Sequence, residues 1–363
     1  MSTAYSGDGI TFPDNSVQAT APRVGMVNRI INGDMRIDQR NAGASVTPTN
    51  NQYTLDRWVW QEVTAGKCTV AQSSTSTAGF TNSLLITSTS AYTPLTGDVM
   101  TIGQRIEGFN AADLKWGTAS AKAITVSFWV RSSLTGAFGG TLRNGSTSRS
   151  YPFLFTITSA NTFEYKTVVV AGDTSGTWAT NNSTGLQLSF AVGSGATYKG
   201  TAGAWASASY YSATGATDLV DTSGATFYIT GVQLEKGSTA TDFEYVDYSR
   251  QLQQCYRYFQ KSFAYGTAPA NGLTLYGDSA STTSYATAVP YIHVTYPVQL
   301  RTIPTTVTLY NPRAGGTAGQ ATNGASDAAS TAAVNSGEKG FMVQTSSQVA
   351  NNWYVHWTAT SEL

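Results

Sequence analysis

The chain has 363 residues, of which 41% are hydrophobic and only 12% charged, and its 21 basic residues balance its 21 acidic residues. A neutral chain lacks the charge that steers proteins to nucleic acid or to anionic membranes, so neither partner is expected. No apolar run approaches the roughly 18 residues of a spanning helix, which excludes membrane insertion. No signal peptide opens the sequence, so we expect assembly in the cytoplasm of the producing cell.

The composition favours β structure. Thr, Ser, Ala, Gly and Asn take the place of charged residues, and the chain contains 20 Tyr and 8 Trp. Thr and the aromatic residues prefer pleated strands, while Gly, Asn and Ser prefer turns. The two cysteines, Cys68 and Cys255, are far apart in sequence and too few for a disulfide framework; they could pair with each other, but buried free thiols are favoured.

Residues 1–25 form the first predicted unit. Turn residues occur at Gly7-Asp8-Gly9 and at Pro13-Asp14-Asn15, with a short strand predicted on each side. The segment is too small to hold a core of its own. It is therefore predicted to be an attachment arm, which binds another particle protein or a neighbouring subunit.

Residues 26–247 show many short strands that are separated by turns. In the clearest strand, Ile124, Val126 and Phe128 lie on one face, while Ser127 and Trp129 lie on the other. Strands of this length and spacing predict an antiparallel β-sandwich of the jelly-roll type.

Residues 248–263 contain the one clear helical pattern, with Ser249 as a candidate N-cap. Leu252, Cys255, Tyr256 and Phe259 have the i, i+3, i+4, i+7 spacing of one helix face. This face either covers one end of a sandwich or meets its copies across a symmetry axis. The second alternative makes Leu252, Tyr256 and Phe259 candidate residues of an oligomer interface.

Residues 264–363 are predicted to form a second, smaller β-sandwich. Strand alternation is clear at residues 291–300 and again near the C-terminus. Pro290, Pro297 and Pro304 cannot donate to a β-ladder and are expected at strand edges or ends. Residues 315–335 are almost entirely small or polar, which predicts a long surface loop.

An ordered set of motifs between residues 27 and 262 resembles a recurring module of tailed-phage tail-fibre and adhesin proteins. The motifs are NRIINGDM at 28–35, DQR at 38–40, YTLDRW at 53–58, GQRIEG at 103–108, FWVR at 128–131 and GVQLEKG at 231–237. The module is similar in architecture to jelly-roll carbohydrate-binding modules. The resemblance implies a virion protein, whose arm joins other tail or virion proteins and whose C-terminal unit is a fibre tip.

No catalytic set emerges from the sequence, so the chain is not expected to be an enzyme. His293 and His356, the only histidines, lie in strand patterns, and no zinc or phosphate-binding motif is present. Glycoside hydrolysis requires two carboxyl groups in one cleft. The acidic candidates for such a pair lie in turns or beside basic residues: Glu107, Asp113, Glu164 and Glu235.

No cofactor is expected. By analogy with carbohydrate-binding jelly rolls, a structural Ca²⁺ held by Asp34, Glu235 or Asp242 is an alternative. No contiguous acidic loop marks such a site.

Exposed aromatic residues are candidates for glycan binding, because sugars stack their C–H faces on aromatic rings. The candidates are Trp178, Trp205, Tyr210 and Tyr211, which lie in Gly/Ser/Thr/Asn-rich stretches, and Trp129, which faces away from the aliphatic side of its strand. The first four either form a stacking platform or fill sandwich ends and subunit seams. Trp129 is either a ligand residue or part of a trimer contact.

The predicted function is that of a structural and adhesive tail-fibre subunit on the virion of a tailed phage, which contacts a glycan on the host surface. A homotrimer is favoured because three copies let apolar helices and sheet edges close around one axis. Two alternatives are a capsid decoration or head-fibre protein and a glycan depolymerase.

Overall fold

A computed structural model describes residues 26–274, 279–283, 291–328, 331–345 and 352–363, together with three short strands nearer the N-terminus. Those strands, Ala4–Ser6 (β1), Gly9–Thr11 (β2) and Val17–Gln18 (β3), form a small antiparallel sheet in the predicted arm. The rest of residues 1–25 and Pro290 lie outside the described residues.

Twelve strands follow before the helix. In chain order they are Val59–Glu62 (β4), Cys68–Ser73 (β5), Ser83–Ser88 (β6), Val99–Glu107 (β7), Ile124–Ser132 (β8), Gly136–Asn144 (β9), Ser150–Ile157 (β10), Glu164–Val170 (β11), Thr184–Ser194 (β12), Lys199–Gly200 (β13), Ser212–Ala213 (β14) and Thr226–Lys236 (β15). Short 3₁₀ turns occupy Gly108–Asn110, Ala112–Leu114, Ala196–Tyr198 and Leu219–Asp221.

The remaining described elements are one helix and seven strands. They are Tyr248–Tyr256 (α1), Phe259–Lys261 (β16), Ala280–Thr283 (β17), Tyr291–Thr295 (β18), Thr306–Tyr310 (β19), Thr331–Gly337 (β20), Gly340–Thr345 (β21) and Asn352–Thr360 (β22). None of the helices in the described ranges has the length and apolarity that crossing a membrane requires.

Two five-stranded antiparallel sheets pack face to face in the larger sandwich. The first sheet has the order β10-β9-β12-β7-β4 and the second has the order β11-β8-β15-β6-β5. Alternation along β8 explains the packing: Val126, Phe128 and Val130 point inward and are fully buried. The ring of Phe128 meets Phe190 of the first sheet at 4.9 Å, edge to face. The predicted all-β jelly-roll sandwich is confirmed.

The C-terminal strands form a smaller sandwich. The long strand β22 pairs with β16, β17 and β19, while β18, β21 and β20 form the facing sheet. Trp353, Val355 and Trp357 project from one face of β22 into the core between these sheets. Pro297 and Pro304 lie just outside β18 and β19, at strand ends as predicted.

Two local predictions were wrong. Helix α1 ends at Tyr256, because residues 259–261 pair with the end of β22 instead of continuing the helix, and Asp247 rather than Ser249 caps its start. Residues 315–335 are not one surface loop, since Ala321 and Ala328 are buried in the C-terminal core and β20 begins at Thr331. The small side chains of this stretch suggested a loop. Those of Ala321 and Ala328 instead fit into the core between the two sheets.

A buried ionic contact joins the two sandwiches. The guanidinium of Arg57 lies 3.5 Å above the ring of Tyr258, and it forms an ion pair with Glu362 next to the last strand. Arg40 donates a second hydrogen bond to the Glu362 carboxylate at 2.7 Å. Arg57 is 1% exposed, so its charge is balanced almost entirely by this carboxylate.

The helix side of the same junction is held by Glu107, at the end of β7. Arg257 donates two hydrogen bonds to this carboxylate, at 2.6 and 3.0 Å, and the Tyr258 hydroxyl donates a third at 2.9 Å. Burial raises the pKa of Tyr258 to about 12, which keeps its hydroxyl proton available for donation. The YTLDRW and GQRIEG motifs therefore serve the junction between the sandwiches.

Replacing Glu362 with Ala leaves the Arg57 guanidinium buried without a carboxylate. We expect Glu362→Ala to lower the free energy of unfolding by about 3 kcal/mol or more, measured by urea denaturation. The matched control is Glu338→Ala, whose carboxylate accepts an exposed hydrogen bond from Gln299; it is expected to change stability by less than about 0.5 kcal/mol. Equal losses from the two substitutions would contradict the role of the junction.

Candidate functional site: a groove on the second sheet

The outer face of the second sheet carries aromatic and hydroxyl side chains. Trp129 of β8 stands opposite Tyr165 of β11 in the register, and their rings are 5.4 Å apart. Ser127 stands opposite Thr167, two residues away from the first pair along the same strands. Tyr165 is 44% exposed, so this face offers a ring surface to solvent.

Three more aromatic rings rise at the edge of this face. Phe80 comes from the loop between β5 and β6, and Phe243 and Tyr245 come from the segment after β15. Their centroids lie 5.1 to 5.6 Å from one another. The Tyr245 hydroxyl donates a 2.7 Å hydrogen bond to the carbonyl of Gly79, which ties the two segments together. The two sets of rings enclose a groove of about 800 Å³.

Asp242 is the charged residue among those that line the groove, and it is exposed. Beneath it, the carboxylate of Glu235 accepts hydrogen bonds from the Thr241 amide at 2.8 Å and from the Thr241 hydroxyl at 2.7 Å. Glu235 is 1% exposed and does not line the groove. Its role is to hold the segment that carries Asp242 and the aromatic wall.

The position of Phe80 depends on Gly231. Gly231 has a φ of +59°, next to a bulge in the pairing of β15 with β8, and a Cβ at this position would lie 2.6 Å from the Phe80 ring. Only a glycine meets both demands without strain. The GVQLEKG motif therefore shapes the wall of the groove.

Among the five predicted sugar-binding residues, the structure places only Trp129 in this groove. Trp178 and Trp205 pack edge to face with Trp116 at one end of the sandwich, with centroids 4.7 to 5.5 Å apart. Tyr211 lies over the buried guanidinium of Arg143 at 3.6 Å, and the ring of Tyr210 packs against Gly200. The five candidates therefore do not form one platform.

The predicted interface residues lie on and after the helix. Leu252 and Tyr256 are half-buried, and the helix buries Gln251 and Cys255 instead. Phe259 is 6% exposed, and the Arg40 guanidinium lies 4.0 Å above its ring. Its ring is therefore covered by residues of the same chain. Both cysteines are free and buried, as predicted.

The acidic and histidine candidates are spread over the molecule. Among the described residues, no three His, Cys, Asp or Glu side chains come together as metal ligands would. Asp34 pairs with Arg36, and Asp113 with Arg29 and Lys236. Glu164 pairs with Lys166. His356 is buried against Ser262 and His293 lies on the C-terminal sheet.

Sequence reasoning did not find Tyr165, Phe80, Phe243 or Tyr245. The alternation of Thr241, Phe243 and Tyr245 directly after the GVQLEKG motif was the available signal. Phe80 gave no such signal, because it is a single ring in a loop that only folding brings beside Gly231.

Comparisons with known proteins give fold-level similarities. No protein-family model and no curated protein matches the chain. Among solved structures, the enzymatically active domain of tailspike protein 4 from Bacteriophage CBA120 is 13% identical, with a TM-score of 0.31, over 58% of this chain and 22% of that one. A Clostridium thermocellum family 11 carbohydrate-binding module in complex with a β-1,3-1,4-mixed-linked tetrasaccharide is 12% identical, with a TM-score of 0.28, over 53% and 96%.

A family 61 carbohydrate-binding module in complex with β-1,4-galactotriose is 10% identical, with a TM-score of 0.28, over 58% of this chain and 99% of that one. At these TM-scores the matches do not identify a ligand. The class of the chain, an all-β protein with a jelly-roll sandwich, rests on its own strand pairing.

Substituting Gly231 tests how the groove wall is built. Gly231→Ala is expected to lower the free energy of unfolding by about 2–4 kcal/mol, because it adds a clash with Phe80 to the strain of a positive φ. Gly224 also has a positive φ, but its Cβ would meet open space; Gly224→Ala is expected to cost about 1 kcal/mol. Urea denaturation measures both losses, and equal values would rule out the Phe80 contact.

Proposed function

We propose that this chain is a non-enzymatic, glycan-binding structural protein of a phage virion appendage, and that it binds an oligosaccharide in the groove on the second sheet. The observation that carries the proposal is the pair of aromatic surfaces, with Trp129 and Tyr165 on the floor and Phe80, Phe243 and Tyr245 at the wall. Rings on two sides let a sugar stack without exposing its apolar face to water.

The polar groups favour an uncharged glycan. Thr241 places a hydroxyl group within the lining; its proton is donated to Glu235, so its oxygen is left to accept a hydrogen bond from a sugar hydroxyl. Asp242 adds one carboxylate, and no lysine or arginine lines the groove among the residues that the structure describes. A neutral glycan or one that contains an amino sugar is compatible with the negative charge of Asp242, whereas a carboxylated sugar is repelled.

The same lining supports binding without hydrolysis. The usual glycosidase mechanism requires two carboxyl groups about 5 to 10 Å apart across the scissile bond. Within the described ranges, Asp242 is the one carboxylate in the lining, and both oxygens of Glu235 are engaged by Thr241 beneath the surface. We therefore propose that the chain holds a glycan and leaves it intact.

The virion role is proposed from the ordered motifs that resemble tail-fibre modules, and from the small N-terminal sheet as an attachment arm. Half-buried Leu252 and Tyr256 on the helix are proposed to face the axis of a homotrimer. Light scattering coupled to size exclusion is expected to give about three times 38.4 kDa. A monomer would contradict the trimer, and immunogold labelling of phage heads instead of tails would contradict the fibre assignment.

Replacing Trp129 with Ala tests the groove. Trp129→Ala is expected to weaken binding of neutral host oligosaccharides at least about 30-fold on a glycan array and in calorimetry, because it removes a central aromatic contact. Tyr291→Ala is the control, since Tyr291 is 48% exposed on the C-terminal sandwich; it is expected to bind as the parent does. Binding unchanged by Trp129→Ala would place the site elsewhere. New reducing ends in the glycan, abolished by Asp242→Asn, would overturn the non-enzymatic assignment.

A further inference from the structure

A second pocket opens at the end of the larger sandwich where β7 ends and β12 begins. It has a volume of about 340 Å³ and lies between the 3₁₀ turn Ala112–Leu114 and residues 178–180. Its lining includes the indole rings of Trp116 and Trp178, with the hydroxyls of Thr118, Ser120 and Thr180. A pocket of this size suits a ligand of one or two rings.

The indole rings of this pocket are held in fixed positions. The Trp116 indole N–H donates to the carbonyl of Lys122 at 2.7 Å, and the Trp178 indole N–H donates to the carbonyl of Ser175 at 3.0 Å. The two rings meet at 4.7 Å with an angle of 80°. A ligand therefore meets rings in fixed positions, with Trp178 half-buried and Trp116 only 7% exposed behind it, and has little side-chain entropy to offset.

The charge of this pocket is opposite to that of the groove. Lys115 is exposed at the rim, and no carboxylate pairs with its ammonium group among the described residues. Its φ of 55° is a left-handed conformation that is uncommon for a residue with a side chain. The neighbouring carboxylate of Asp113 is already engaged by Arg29 at 2.9 Å and by Lys236 at 3.2 Å.

The lining contains no acidic residue that would neutralise Lys115. A ligand that satisfies every group in the pocket has a flat apolar face for the indoles, hydroxyls for the threonines and serine, and one negative charge for the ammonium. A hexuronic acid has all three features. Its neutral counterpart, which carries a hydroxymethyl group in place of the carboxylate, lacks the third.

We propose that this pocket is a second saccharide site, which binds a carboxylate-bearing sugar unit of an acidic glycan. The proposal shares with the proposed function only the idea that the chain binds glycans, and it uses none of the residues of the groove. A chain with both sites selects surfaces that present neutral and acidic units together, because two linked sites bind more tightly than either alone.

The test compares methyl β-glucuronide with methyl β-glucoside, which differ only in the carboxylate. With the full chain, saturation-transfer NMR and calorimetry are expected to detect the glucuronide and to show weaker binding of the glucoside. Raising the salt concentration is expected to weaken binding of the glucuronide and to leave binding of the glucoside unchanged. Lys115→Gln is expected to reduce glucuronide affinity by about fivefold and to leave the glucoside unchanged.

Lys339→Gln is the control, because it removes an exposed lysine on the C-terminal sandwich that does not line the pocket. It is expected to retain the affinity of the parent. Ala112→Phe fills the pocket from an exposed position without disturbing the indoles, and it is expected to abolish glucuronide binding. Glucuronide binding that survives Ala112→Phe, or that falls equally in both lysine variants, would overturn the proposal.

The groove variant separates this inference from the proposed function. Trp129→Ala is expected to lose neutral oligosaccharide binding and to keep the glucuronide. If the parent binds the glucuronide but no neutral glycan, the groove proposal fails and the pocket stands. If neutral glycans bind and the glucuronide does not, the pocket proposal fails alone.

Discussion

The burial of the Arg57 guanidinium is the constraint on which the arrangement of the two sandwiches depends. A charge that is removed from water requires a partner, and here the partner comes from the other end of the chain, at Glu362. The ring of Tyr258 covers the cation from the helix side, and Glu107 in turn fixes Arg257 and Tyr258. One network of charged and hydrogen-bonded side chains therefore holds the jelly roll, the helix and the last strand together. Loss of any member leaves a partner without its hydrogen bond or counter-charge.

Another buried carboxylate, that of Glu235, supports the wall of the groove rather than the junction. Glu235 holds Thr241, and with it the segment that carries Asp242, Phe243 and Tyr245. Arg57 and Glu107 of the ordered motifs thus serve the junction, and Gly231 and Glu235 support the groove, whereas Trp129 of the FWVR motif lines the groove itself.

Much of the fold was predictable from the chain alone, because side-chain period reports directly which face of a strand is buried. Ile124 to Val130 shows this plainly, and so does the run from Trp353 to Trp357. Prediction was wrong where two structures suit the same residues. The pattern through Phe259 is compatible with a helix, but pairing with β22 decides for a strand. Small residues at 315–335 are compatible with a loop or with a tightly packed core.

The site was less predictable than the fold. The sequence by itself determined that the protein is all-β and that Trp129 faces away from the aliphatic side of its strand, but it left open whether the other aromatic candidates are exposed. Only the tertiary structure decided which rings come together: Phe80 and Tyr245, far apart in the sequence, lie 5.6 Å apart, and Phe80 packs against Gly231. A binding surface is a property of distances between strands and loops, and those distances are set by non-local pairing and by buried charges that no local pattern encodes.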